Sequence, residues 1–175
     1  GRLLSLDTIR LLPRSFRYYI SSIFLLSLGS LPIAVLLLST SNIGLVVASI
    51  PLFYMVYSIA YSGFSYISGK LSDEKGSTRI LIFGYLALIA AYTGIAFAST
   101  YWLLVLSFIV LGIFSATTDA AQRVHTSKVV DLPLRGTAFG LLNASVGFGA
   151  MFSGIFGGYI WQKFDSVTAL FIASI

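Results

Sequence analysis

Five long apolar runs, separated by short polar connections, constrain this chain more than any other feature. They cover residues 15–40, 45–68, 80–98, 101–125 and 138–161, and a sixth begins over 166–175. A transmembrane helix needs about 20 mostly apolar residues. Lipid offers the backbone no hydrogen-bond partner, so runs of this length are expected to close their own bonds as helices. Composition agrees. The chain is 57% hydrophobic and 10% charged, against about 25% charged in a soluble domain. Its polar side chains cannot cover a water-facing surface. The expected fold is therefore an all-α membrane protein, a bundle of transmembrane helices with five complete spans plus the start of a sixth. Residues 1–13 form a cytoplasmic segment and 14–175 the bundle. Ten residues cannot cross a bilayer, and the chain starts at Gly1, so a piece of a longer protein is expected.

The basic residues are distributed unequally between the two sides. Arg2, Arg10, Arg14 and Arg17 precede or open the first run. Lys70, Lys75 and Arg79 lie between the second and third, and Arg123, Lys128 and Arg135 between the fourth and fifth. The alternate connections, "STSNIG" and "ASTY", are uncharged, and Lys163 stands alone on that side. The positive-inside rule makes the basic side cytoplasmic. The asymmetry explains the net charge of +5 without an acidic partner, and no nucleic-acid partner is expected. The chain has no cysteine, which excludes disulfides and thiolate metal sites. No metal and no cofactor are expected.

Polar side chains recur at helical spacing inside the spans. Tyr54, Tyr57, Ser58, Tyr61, Ser65 and Ser68 share one face of the second run, and Ser115, Asp119, Gln122 and Thr126 one face of the fourth. Such stripes face protein or water, not acyl chains. They serve interhelical hydrogen bonding or line a solute pathway, with Tyr57, Ser58, Tyr61 and Asn143 the pathway candidates. Asp119 and Arg123, four apart, can pair along one face. His125, the single histidine, is expected at the interface. The third run carries few polar groups beyond Tyr85, Tyr92 and Thr93 and is expected on the lipid side. Small residues recur in the fifth: Gly140, Gly147, Gly154 and Gly158 are the expected points of close helix packing.

The stretch "GKLSDEKGSTR", residues 69–79, holds five of the chain's charged residues between two apolar runs. Its pattern Gly69-x-x-x-Asp73-x-x-Gly76, followed by Arg79, resembles the cytoplasmic signature loop of the major facilitator superfamily. Three positions depart from the family pattern: Glu74, Ser77 and Thr78 stand where basic residues are usual. That erosion resembles the second copy of the loop, and "TDAAQR" and "RGTAFGLLNASVGFGAMFSGIFGGYIW" downstream resemble the fourth and fifth helices of a second half. The resemblance implies a C-terminal six-helix half of a secondary active transporter that moves small organic solutes by alternating access, ion-coupled or of efflux type. Its partners would be the N-terminal half of the same transporter, membrane lipid and a small-molecule substrate, in a plasma (inner) membrane. Asp73 is expected to act as a conformational latch, bonding the start of a neighbouring helix, with Arg123 or Arg135 as charge partner. The alternative is a membrane scaffold or receptor half that transports nothing. No enzyme is expected: one histidine at a helix end and one intraspan carboxylate do not make a hydrolytic site.

Overall fold

A computed structural model describes residues 11–39 and 49–163, and every regular element among them is helical. In chain order these are α1 (Arg14–Leu28), α2 (Ile33–Ser39), α3 (Ile50–Lys75), α4 (Ser77–Ala96), α5 (Tyr101–Val129), a 3-10 turn (Leu132–Leu134) and α6 (Arg135–Lys163). Four stretches are long and apolar enough to cross a membrane: Arg14–Leu37, Ser77–Ala96, Tyr101–Val129 and Leu132–Ile160, with mean hydropathies of 2.2, 1.7, 1.9 and 1.5. The 26 residues of α3 extend roughly 39 Å at 1.5 Å per residue, but tyrosines and serines dilute its hydropathy. Residues 166–175, where the sixth run begins, and 1–10 lie outside the described residues.

The helix expected over 15–40 is interrupted. α1 ends at Gly29, and α2 restarts after Pro32, which has no N–H to continue the ladder. The break leaves the Leu31 N–H without a helical acceptor. It donates instead to the Tyr92 hydroxyl at 2.6 Å, from α4, and Tyr92 is only 2% exposed. A buried phenol thus satisfies a backbone group that the break would otherwise orphan.

The stretch 69–79 is also not the loop expected from sequence. α3 continues through Gly69 and Asp73 to Lys75, and α4 starts at Ser77. The turn is Gly76 alone, with φ 93°, the sole positive φ among the described residues. An L side chain rarely adopts that backbone, so glycine permits two helices to meet across one residue. At the next turn on the same end, Arg135 reaches back to the end of α5. Its Nη2 donates to the Ser127 carbonyl at 2.7 Å and its Nε to the Val130 carbonyl at 3.1 Å, capping carbonyls the helix leaves free.

Packing centres on α5, which holds α3 and α4 on two sides, while α1 packs on α6. Phe53, Leu88, Tyr92, Leu104, Phe108 and Leu111 form the main core. α4 was expected on the lipid side, and one of its faces is exposed: Ile82, Phe83, Leu86 and Ile89. The opposite face, Leu88, Ala91, Tyr92 and Ile95, is buried. On α6, Phe148, Ile155, Phe156 and Tyr159 are likewise exposed. Apolar outer faces over spans of this length describe an all-α, multi-pass integral membrane bundle.

Three crossings are close because one side is glycine: on α4, a Cβ on Gly84 would lie 2.8 Å from Thr117 Oγ1 of α5, and one on Gly94 would meet Ser107. A Cβ on Gly112 of α5 would lie 2.6 Å from the Tyr57 carbonyl oxygen of α3. On α6 the tight positions are Gly149, whose Cβ would lie 2.5 Å from Ser27 Cβ, and Gly157, against Leu31; Ser153 is buried between them. This corrects the expected packing set. Gly140, Gly147 and Gly158 face open space, and Gly154 alone of the four meets a neighbour, Pro32. Small residues occur all round α6, so spacing alone could not choose the face that meets α1.

Candidate solute pathway

Where α3 crosses α5, the side chains change from apolar to polar. The Tyr61 hydroxyl donates to Asp119 Oδ2 at 3.0 Å. One turn back on each helix, the Tyr57 hydroxyl lies against the Ser115 side chain. Both tyrosines and both α5 residues repeat at four-residue spacing, which stacks them along facing helix surfaces. Gly112 lies below this pair of contacts and lets the backbones approach. The rings of Tyr54, Tyr57 and Tyr61 stack in sequence along α3, with centroids 6.1 and 6.3 Å apart.

A cavity of about 190 Å³ opens beside this seam, bordered by Tyr57, Ser115, Asp119 and Gln122, by Ser27 and Ser30 of the α1 break, and by Val146 and Ala150 of α6. Tyr85 of α4 also borders it, so α1, α3, α4, α5 and α6 all contribute to one mixed polar and aromatic space. A larger groove of about 440 Å³ lies between α1 and α4, but its walls are almost wholly apolar and offer a solute few hydrogen bonds. Along one edge, His125 stacks on Tyr19 at 4.1 Å and its Nδ1 lies 3.1 Å from the Ser77 hydroxyl. It is half-buried between helices rather than at a free interface.

Of the residues singled out from sequence, Tyr57, Tyr61 and Asp119 come together here. Ser58 does not border the cavity, and Asn143 is exposed on α6. The Asp119–Arg123 ion pair does not form. Asp119 accepts from Tyr61, while Arg123 is exposed, and the described ion pairs are Lys70–Glu74 and Lys128–Asp73. A long guanidinium one turn nearer the basic end gains more from reaching water than from entering the seam. Two other stripe residues bond carbonyls of their own helices. Ser65 donates to the Tyr61 carbonyl at 2.7 Å and Thr126 to the Gln122 carbonyl at 2.8 Å. Sequence reasoning missed Ser27 and Ser30, whose signal was the Gly29–Pro32 interruption, and also Gly112.

At the basic end, Asp73 pairs with Lys128 of α5 rather than with Arg123 or Arg135. Lys128 Nζ lies 3.1 Å from Asp73 Oδ1 and donates to the Asp73 carbonyl at 3.2 Å. Because Asp73 lies in the last turns of α3, it reaches across the α3–α5 crossing toward the end of α5, not toward a helix start. Arg135 is occupied in capping, and Arg123 forms none of the described ion pairs. Gly69 and Arg79 take no part in this contact.

Comparisons with known proteins identify the family. The chain is 30% identical over 118 residues to an uncharacterized MFS-type transporter of Methanocaldococcus jannaschii, covering 67% of this chain and 30% of that protein. It is 34% identical over 97 residues to the class H tetracycline resistance protein of Pasteurella multocida, covering 55% of this chain and 24% of that protein. The chain therefore spans less than a third of either relative. The model of the Major Facilitator Superfamily matches residues 17–175, and the chain belongs to that superfamily.

Proposed function

We propose that the full-length protein is a secondary transporter of small organic solutes and that this chain is its C-terminal half. The observation that carries the reading is the Tyr61–Asp119 seam: a carboxylate, two phenols and serines gathered at one cavity inside an otherwise apolar bundle. Intramembrane ionisable groups are costly and mark solute or ion paths. Transport proceeds by alternating access. This bundle and an N-terminal bundle rock about a shared cavity, of which α1, α3, α4, α5 and α6 form one wall. An ion gradient drives the movement, and the basic end faces the cytoplasm of a cell whose plasma membrane holds the protein. The relatives support the reading by their names, one an MFS-type transporter and one a tetracycline resistance protein.

The test is saturable solute movement in proteoliposomes of the full-length protein under an imposed proton gradient, compared with Asp119→Asn. Gradient-dependent movement lost in the variant supports transport through this seam. No saturable movement of any solute, under any gradient, leaves a scaffold or receptor role in its place.

A further inference from the structure

We infer that the stacked Tyr54–Tyr57–Tyr61 face, together with Asp119, is a binding wall for organic cations. The inference rests on the transporter reading above and names its substrate class. Among the described acidic residues, Asp73 and Glu74 lie at the end of α3 and Asp131 beyond the end of α5; Asp119 alone lies well inside a span. Tyr61 precedes the end of α3 by fourteen residues, roughly 21 Å of helix, so the seam is far from the basic end.

Asp119 makes no ion pair; Arg123, one turn along and exposed, acts on it only at a distance. Its described partner is a neutral phenol. A carboxylate held at that depth is neutralised either by a proton or by a positive charge arriving from solution. The surroundings favour an organic cation over a metal ion. The described residues contain no cluster of metal-ligating groups, whereas three stacked phenol rings run up to the carboxylate. Ring faces attract cations, and the rings also cover the apolar body that such a cation carries. An anion would meet Asp119 unfavourably, and a neutral solute would leave the carboxylate unneutralised. The space on this chain, about 190 Å³, is below the roughly 300–1,000 Å³ of a complete small-molecule site. The opposite wall therefore belongs to the other half.

The experiment measures binding of tetraphenylphosphonium to the purified full-length protein in detergent, with tetraphenylborate, of the same shape and opposite charge, as competitor. The cation is expected to bind saturably and the anion to compete poorly. Asp119→Asn is expected to weaken cation binding by on the order of a hundredfold, the effect of removing one partner of a buried pair. Tyr57→Phe keeps the ring face and should stay within about twofold, while Tyr57→Leu should lose about fivefold. This pair carries the test if Asp119→Asn fails to fold. Equal binding of both ions, an unchanged affinity in Asp119→Asn, or equal effects of Phe and Leu at position 57 would overturn the inference. Saturable transport of other solutes without phosphonium binding would overturn the cation assignment and leave transport standing. Phosphonium binding through Asp119 with no transport of any solute would do the reverse.

Discussion

Tyr61 and Asp119, fifty-eight residues apart in sequence, meet hydroxyl to carboxylate at 3.0 Å because a glycine stands beneath them. Gly112 leaves no Cβ between α5 and the Tyr57 carbonyl, so the α3 and α5 backbones cross closely enough for phenols to reach the carboxylate. The crossing fixes the spacing, and the polar seam is the consequence.

Gly112→Val is therefore expected to push α3 off α5. The obstruction is backbone, which cannot rotate away, and overpacking of this kind costs about 1–3 kcal/mol. Gly149→Val should behave alike, since Ser27 and the Phe24 carbonyl stand in the way. Gly140→Ala faces open space in this chain and should change stability by no more than about 0.5 kcal/mol. Thermal unfolding of the detergent-solubilised protein compares the three; equal losses would refute the assigned packing faces.

Tyr92→Phe removes the acceptor of the Leu31 N–H while keeping the ring. A buried donor left without a partner costs about 1–3 kcal/mol. The melting temperature should fall, and amide exchange should quicken first at Leu31. Unchanged exchange there would show that the break in the first span does not depend on Tyr92.

Asp73 and Lys128 make an exposed pair, with side chains 62% and 50% exposed. Such pairs contribute about 0–1 kcal/mol, too little to hold the fold but enough to shift a two-state population up to several-fold. As a latch between α3 and α5, the pair should tolerate exchange. Asp73→Lys and Lys128→Asp should each slow transport, and the double variant should recover much of the rate, with solute affinity unchanged throughout. A double variant no better than either single change would remove the latch.

The sidedness argued from basic residues is tested with single cysteines in a background from which any native cysteines are removed. Lys75 and Thr100, both exposed, lie at opposite ends of α4 and should label from opposite faces of the membrane, Thr100 from outside intact cells. Labelling of Lys75→Cys from outside would invert the orientation. Ser77, at the same end as Lys75, is unsuitable, being buried near His125.

Much of this was legible in the sequence, and the gaps have physical causes. Hydropathy marked four stretches long and apolar enough to cross a membrane, and the 3.6-residue period placed Tyr57, Tyr61 and Asp119 on faces that meet. The Asp119–Arg123 spacing suggested an ion pair because periodicity reports which residues share a face, not which way a long side chain turns. Gly69 and Asp73 suggested a loop, yet one glycine with a positive φ was enough to turn the chain. The small residues of α6 could not reveal which set packs, because that depends on Phe24, Ser27 and Leu31 of a helix far away in sequence. Ser27 and Ser30 escaped notice because their access to the cavity comes from a break in their own helix.

The most direct test of the whole account is the accessibility of Ser115→Cys in the full-length protein. Ser115 lies on the cavity wall beside Tyr57. In oriented vesicles, an impermeant thiol reagent should reach this cysteine from either face, but through openings that exclude one another. Asp73→Asn should raise labelling from the cytoplasmic face and lower it from the other. Labelling from one face only, unaffected by Asp73→Asn, would contradict alternating access through the Tyr61–Asp119 seam.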